Sequence, residues 1–167
     1  ALVGDEAERL DRLVANLLSL SRIEAGALHP DRQAVALDEL AADTVKRLGR
    51  LFVTRRVQID VPPLPLIRGD YTLLSQVLSN LLQNAARHAP PNSTIRIGGR
   101  DIGDFVELWV DDEGIGVIPS ERERIFLPFR RGEGSSSSGI GLAICKAIVE
   151  AHGGQITVVG GPTGGAR

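Results

Sequence analysis

Four side chains that could bind an anion and a metal ion lie close together in segment 80–88. Asn80 and Asn84 are four residues apart, and Arg87 and His88 follow within the next turn. On a helix, this spacing places two amides, a guanidinium and an imidazole on one side. Amide oxygens are hard, neutral ligands that suit Mg²⁺, and a guanidinium offers phosphate a planar fork of donors. The pattern indicates a phosphate and magnesium site, although a solvated helix surface would explain the same residues.

A second candidate segment, residues 110–116, joins acids directly to glycines. Asp111 and Asp112 end an apolar stretch, and Gly114 and Gly116 follow with one residue between them. Glycine lets a backbone approach a flat ligand closely, and a buried carboxylate can accept a hydrogen bond from a purine amine. The segment therefore fits a purine pocket, and an acidic turn is the alternative.

The glycine- and serine-rich stretch 132–142 is a third candidate for phosphate contact. Gly134 and Gly139 have the spacing of a P-loop, but Ile140 stands where that motif requires Lys. Gly139 and Gly141 lack the third glycine of a dinucleotide-binding fingerprint. What remains is a mobile loop that leads into a helix N-terminus, whose free N–H groups favour anions. A flexible linker is the alternative.

Helices and strands must hold these three segments in place. The residue pattern predicts that helices and strands alternate along the chain. Asp70 is predicted as the N-cap of the helix that carries Asn80 and Asn84. Helices are predicted over 38–53, 70–88, 120–124 and 141–152, and strands over 57–61, 94–100, 105–111 and 155–159, with a turn at 103–104. Helices that cover one face of a mixed, mostly antiparallel sheet make an α+β two-layer sandwich.

One further helix is predicted before these elements, over residues 5–25. Its leucines recur at alternating steps of three and four, at Leu10, Leu13, Leu17 and Leu20. Gly26 and Pro30 end it. The stripe is either a coiled-coil seam or the side of a helix that lies on its own domain. The strict spacing favours the seam.

Composition excludes several classes of function. The chain has 167 residues, of which 19 are Lys or Arg and 21 are Asp or Glu, giving a formal charge of -2. This balance does not predict binding to nucleic acid or to an anionic membrane. No stretch of the sequence is apolar for long enough to span a bilayer. The single cysteine, Cys145, cannot form an internal disulfide, which suits a reducing cytosol.

Four segments, in this order, resemble the characteristic boxes of the GHKL superfamily of ATP-binding domains, and most closely those of the sensor histidine kinases. They are 80–88 (N box), 112–116 (G1 box), 125–131 (F box) and 138–142 (G2 box). Residues 8–26 resemble the second helix of the dimerisation and phosphotransfer hairpin of these kinases, and 141–154 resembles the potassium-responsive sensor kinases in particular. The resemblance covers nearly the whole chain and implies the Bergerat ATP-binding fold.

The resemblance also implies a role for each matching residue. Asn84 would ligate Mg²⁺, Arg87 would contact the phosphates of ATP, and these two would act in phosphoryl transfer. Asp112 would accept a hydrogen bond from the adenine amine. Further ATP contacts would come from Asn80, His88, Gly114, Ile115, Gly116, Phe129, Gly139, Ile140, Gly141 and Leu142, while Phe126 and Phe129 would anchor the lid on the core.

The implied function is that of a Mg-ATP-binding catalytic domain, which transfers the γ-phosphoryl group to a histidine on a separate helical domain in two-component signalling. Relatives that hydrolyse ATP place a Glu four residues before the metal-binding Asn, whereas this chain has Asn80 there. Negligible ATPase activity is therefore expected. Implied partners are the phosphotransfer helix that carries the acceptor histidine, a response regulator and, in the full-length protein, a second copy. The alternative is a non-catalytic GHKL module that binds a nucleotide or a partner.

Departures from the family pattern limit what this chain is expected to do alone. None of His29, His88 and His152 has the context of the acceptor histidine, so self-phosphorylation is not expected. The expected division is 1–28 as the second hairpin helix, 29–36 as a hinge and 37–167 as the catalytic domain without its last strand. Four serines at 135–138 stand in place of a more varied lid. The expected location is the cytosolic side of a membrane-anchored sensor, without direct membrane contact by this chain.

Overall fold

The computed structural model describes residues 2–129 and 139–167 of the chain. Four α-helices and five strands are assigned within these residues. In chain order they are α1 (Leu2–Glu24), β1 (Gln33–Val35), α2 (Leu37–Arg47), β2 (Arg56–Asp60), β3 (Ile67–Gly69), α3 (Tyr71–His88), β4 (Thr94–Asp101), β5 (Val106–Asp111) and α4 (Gly141–Ala151). Short 3₁₀ turns cover Gly49–Phe52, Pro119–Glu121 and Arg124–Phe126.

The strands form one three-stranded sheet and one small two-stranded sheet. In the larger sheet β4 is central, with β2 parallel on one side and β5 antiparallel on the other. In the smaller sheet β1 and β3 pair antiparallel. Ile95 and Ile97 point from β4 into the core, where α2 and α3 cover them. The predicted α+β sandwich with a mixed, mostly antiparallel sheet is therefore confirmed.

Helix α3 is the central element because it contributes to two separate cores. The Asp70 side chain accepts a hydrogen bond from the Leu73 N–H at 3.1 Å and so caps the helix start, as predicted. One face of the helix, with Leu78 and Leu82, packs against the sheet. Another face, with Val77, packs against α4. This double burial fixes the helix that carries Asn80 and Asn84.

Helix α4 lies against α3 and forms the second core. Its buried side chains are Ile144, Cys145 and Ile148, and Leu20 and Ile23 of α1 pack on the same cluster. Burial raises the pKa of the Cys145 thiol to about 12. The C-terminal half of α1 therefore lies on its own domain.

The predicted leucine stripe of α1 does not face a single surface. Leu20 contacts the α4 core, whereas Leu10 and Leu17 are 54% and 53% exposed. The predicted seam is therefore divided between an apolar contact with the chain's own domain and an exposed side. Among the described residues, no helix is long and apolar enough to cross a membrane.

Several predicted boundaries were wrong. The helix predicted over 38–53 ends at Arg47, and a 3₁₀ turn starts at Gly49, where glycine weakens the helix. The predicted helix over 120–124 consists of 3₁₀ turns. The predicted strand 155–159 is not assigned as a strand: Val159 pairs only with Arg167, next to a single bridge between Gly160 and Ala166. The short strands β1 and β3 were not predicted.

Candidate functional site

The N-box residue Asn80 joins α3 to the first turn of α4. Its Nδ2 donates a hydrogen bond to the Gly141 carbonyl at 3.3 Å. One turn further along α4, the buried Cys145 thiol contacts the Val77 carbonyl of α3 at 3.7 Å. The structure therefore brings the predicted N box and the end of the predicted G2 box together. Asn80 thus links the middle of α3 to the start of α4.

Asn84 lies one turn after Asn80 on the same helix and is half-buried. Within residues 2–129 and 139–167, no hydrogen bond engages its amide. Arg87 and His88 occupy the last turn of α3 and are exposed. In the same part of the chain, no group of three His, Cys, Asp or Glu side chains could hold a metal ion. The Asn84 amide oxygen therefore remains available as a hard, neutral ligand.

Within the part of the chain that the structure describes, no side chain caps the backbone N–H groups in the first turn of α4. Gly139 has φ of +68°, which turns the chain into the helix. Ile140, the N-cap residue, is buried and makes no side-chain cap hydrogen bond. Gly141 and Leu142 begin the helix. The N-terminal partial positive charge of a helix attracts anions, so this end of α4 suits a phosphate group.

The predicted purine-binding acid, Asp112, is 6% exposed and lies directly after β5. Its Oδ1 accepts hydrogen bonds from two backbone N–H groups, that of Gly114 at 2.8 Å and that of Ala166 at 3.2 Å. The Asp112 backbone N–H in turn donates to the Ala166 carbonyl at 3.0 Å. These bonds fix the orientation of the carboxylate, and both side-chain bonds fall on the same oxygen. The other oxygen, Oδ2, can accept from a ligand.

Gly114 packs the G1 segment against the end of the N-box helix. A Cβ at this position would lie 2.8 Å from the His88 carbonyl oxygen and 3.0 Å from Asp112 Oδ1. Only glycine avoids this collision, so the residue type follows from the close approach. The predicted N and G1 boxes are thus adjacent in the fold, with His88 at their contact.

The F-box residues separate into one buried and one exposed side chain. Phe126 is buried and its 3₁₀ turn packs near α4, as expected of a lid anchor. Phe129 is 64% exposed and has a positive φ of 60°, so the predicted anchoring of Phe129 on the core is wrong. Ile115 is 95% exposed. Residues 130–138, including the serines and parts of the F and G2 boxes, lie outside the described residues.

The segment 164–167 also contributes to the site, although its residues were not predicted to lie there. Gly165 and Gly116 lie close together, since a Cβ on Gly116 would lie 3.2 Å from the Gly165 carbonyl oxygen. Ala166 bonds to Asp112 as described above. The glycine pair 164–165 was the available signal for a close backbone approach.

Comparison with known proteins agrees with this geometry. Residues 69–167 match the family described as histidine kinase-, DNA gyrase B- and HSP90-like ATPase. The chain belongs to this family. This match, together with the relatives below, confirms the predicted resemblance to sensor histidine kinases. The matched residues include every site segment described above.

Individual relatives are sensor kinases. The sensor protein KdpD of Escherichia coli K12 is 38% identical over 159 residues, which are 93% of this chain and 18% of that protein. The mycobacterial sensor histidine kinase MprB has a similar structure, with a TM-score of 0.71, 31% identity, and coverage of 77% of this chain and 85% of that one. Full-length ShkA in complex with AMPPNP gives a TM-score of 0.83 at 28% identity and covers 94% of this chain and 34% of that one.

The fold is therefore that of the ATP-binding catalytic domain of histidine kinases. The chain spans less than a fifth of the length of KdpD.

Proposed function

We propose that this chain binds Mg-ATP between α3, α4 and the 112–116 turn and donates the γ-phosphoryl group to a histidine on a separate helical domain. The observation that carries the proposal is the Asn80 to Gly141 hydrogen bond, which places the N-box helix against the N-terminal turn of α4. In this proposal, the Asn84 amide, the start of α4 and the Asp112 carboxylate would together line the nucleotide site.

Asp112 is proposed to read the adenine base. Its Oδ1 is occupied by two backbone donors, so Oδ2 would accept from the exocyclic amine. Gly114 and Gly116 would bring the backbone close to the ring, and the exposed Ile115 would cover it. A fixed carboxylate of this kind selects an amine over a carbonyl at the same position of the purine, because a carbonyl cannot donate.

Asn84, Arg87 and the start of α4 are proposed to hold the phosphates. The Asn84 amide oxygen fits Mg²⁺, which keeps several waters and binds through few protein oxygens together with phosphate. Bound there, Mg²⁺ would neutralise charge on the phosphate oxygens. Arg87 would donate to the phosphates, His88 would border the ribose or phosphates, and the residues from Gly139 to Leu142 would direct backbone N–H groups at them. Such positioning and charge neutralisation are the main protein contributions to phosphoryl transfer.

Transfer to histidine is favoured over hydrolysis by the residue at position 80. Asn80 cannot accept a proton, and its amide already bonds to Gly141, so it cannot activate water as a general base. A neutral imidazole acceptor is itself nucleophilic and needs no such base. Negligible ATPase activity follows from this reasoning, and rapid release of phosphate by the pure chain would contradict it.

The domain division 1–28, 29–36 and 37–167 is part of the same proposal. Residues 1–28 would be one helix of a phosphotransfer hairpin, and the exposed Leu10 and Leu17 support a further helical partner. The acceptor helix, a response regulator and a second copy would be partners of the longer protein, whose catalytic part would lie in the cytosol.

The experiment uses labelled ATP and a separately produced helical hairpin that carries an acceptor histidine. The chain and Mg-ATP should place acid-labile label on the hairpin but none on the chain itself. Asn84→Ala should abolish the transfer, whereas Gln58→Ala, a change of an exposed amide on β2, should not. Label retained on a histidine of this chain would refute the proposed division of roles. Nucleotide binding without transfer would favour a non-catalytic GHKL module.

A further inference from the structure

Arg167 lies outside the proposed ATP contacts but is bound tightly to the end of β5. Its Nε and Nη2 donate to the two carboxylate oxygens of Asp111 at 2.6 and 2.7 Å. The Asp111 side chain is 3% exposed, so the ion pair is shielded from water on its acidic side. Paired donors of this kind fix both distance and orientation. The bond to Asp111 also raises the pKa of the Arg167 guanidinium above its ordinary value.

The Arg167 guanidinium also contacts an aromatic ring. Arg167 lies 4.9 Å above the centroid of the Trp109 ring, within the range of a cation–π interaction. Trp109 is held flat because Gly98, its partner on β4, leaves no side chain beneath the ring. Arg167 is therefore located by a buried carboxylate and by a ring that is itself fixed on the sheet.

The backbone next to Arg167 touches the proposed base-reading acid. Ala166 donates its N–H to Asp112 Oδ1 and accepts from the Asp112 N–H. The Gly165 backbone lies so close to Asp112 that an added Cβ would overlap the Asp112 carbonyl. Arg167 and Val159 exchange two backbone hydrogen bonds, of 3.0 and 2.9 Å, which join the backbone of Arg167 to a second segment besides β5.

We infer that Arg167 is a positioning residue for adenine recognition, acting through Ala166 on the Asp112 carboxylate. The guanidinium fixes residue 167 on β5, and the adjacent peptide then holds Oδ1 so that Oδ2 faces the base. This inference rests on the proposed function, because it assumes that Asp112 reads adenine. Beyond the proposed function, we expect the purine preference of the Asp112 site to depend on Arg167. The preference meant is for a purine with an amine over a purine with a carbonyl at the same position.

The test is calorimetric titration of the whole chain with ADP, inosine diphosphate and inorganic triphosphate. Arg167→Ala should weaken ADP binding by about 3- to 30-fold, the scale of coupling between residues of one contact network. The preference for ADP over inosine diphosphate should fall, and triphosphate binding should stay unchanged. Arg100→Ala is the matched control, because Arg100 also lies over Trp109, at 6.0 Å, but pairs with Glu107 instead of Asp111.

A second pair of variants tests the backbone link without removing a charge. Gly165→Ala should weaken ADP binding in the same manner because the methyl group displaces the segment from Asp112. Gly160→Ala, in the paired part of the same segment, meets only Arg122 at 3.9 Å and should bind as the unaltered chain does.

Loss of Arg167 leaves a buried carboxylate without its partner, which can unfold the chain. Asp111→Asn avoids this, since it loosens the same contact and leaves no buried charge, and it should reproduce the loss of purine preference in a folded protein. A folded Arg167→Ala or Asp111→Asn chain with unaltered ADP affinity and unaltered preference would overturn the inference alone. An unaltered chain that binds no ADP would overturn the proposed function and the inference together.

Discussion

Asp112→Asn is the substitution with the most specific expected result. The Asn side chain has the same shape, and its carbonyl oxygen can keep the two bonds from Gly114 and Ala166 that now fall on Asp112 Oδ1. The amide nitrogen then takes the place of Oδ2. At that position a hydrogen-bond acceptor becomes a donor, while the backbone contacts of the site persist.

The expected loss of affinity can be estimated from one hydrogen bond. A hydrogen bond to a charged group contributes about 1.5–3 kcal/mol. ADP affinity should therefore fall by about 10- to 150-fold, since about 1.4 kcal/mol corresponds to a tenfold change. Inosine diphosphate has a carbonyl where adenine has its amine, so the new donor should weaken this ligand less or strengthen it.

Calorimetric titration with both diphosphates checks this expectation, and circular dichroism checks the fold. Asp104→Asn, in the exposed turn between β4 and β5, is the matched control and should leave both affinities unaltered. If a folded Asp112→Asn chain binds ADP as tightly as before, adenine is not read by this carboxylate, and the proposed orientation of the nucleotide is wrong.

Three further predictions concern stability. Asp70→Ala removes the cap of α3 and should lower the free energy of unfolding by about 1 kcal/mol in urea titration; no loss would show that the 3.1 Å bond to Leu73 contributes nothing. Leu82→Ala, at a fully buried position between α3 and the sheet, should cost about 2–5 kcal/mol by the same method, and a loss below 1 kcal/mol would contradict the packing described. Burial raises the pKa of Cys145 from 9.0 to about 12, so the neutral thiol is favoured in the folded state. The stabilisation of the folded state by this neutral thiol is complete below pH 9. It is lost as the pH rises towards 12, by up to about 1.4 kcal/mol per pH unit. The Cys145→Ala chain should lose less stability than the unaltered chain between pH 9 and 11. An equal change in the free energy of unfolding with pH in both chains would refute the raised pKa of Cys145.

The elements that carry the site could be predicted because their signals are local. Asp70 followed by an apolar periodicity gives the start of α3, and the alternation of 94–111 with a glycine turn gives β4 and β5. The spacing of Asn80 and Asn84 then follows from the helix itself. These features depend on residues within a few turns of one another, so the sequence contains the information.

Contacts between distant segments could not be predicted in the same way. The bond from Arg167 to Asp111 joins residues 56 positions apart, and no periodicity indicates it. Strands β1 and β3 have three residues each, which is too short for an alternating pattern. Phe129 was expected to anchor the lid because of the resemblance of 125–131 to the F box, but its side chain is 64% exposed and its φ is positive.

Magnesium and the triphosphate are proposed to bind together at Asn84. The most direct measurement is calorimetric titration of the chain with ADP and with a non-hydrolysable ATP analogue, each with and without Mg²⁺, for the unaltered chain and for Asn84→Ala. We expect saturable binding of the analogue that Mg²⁺ strengthens, and loss of this strengthening in Asn84→Ala. A folded chain that binds neither nucleotide at millimolar concentration, or an Asn84→Ala chain with the full magnesium effect, would contradict it.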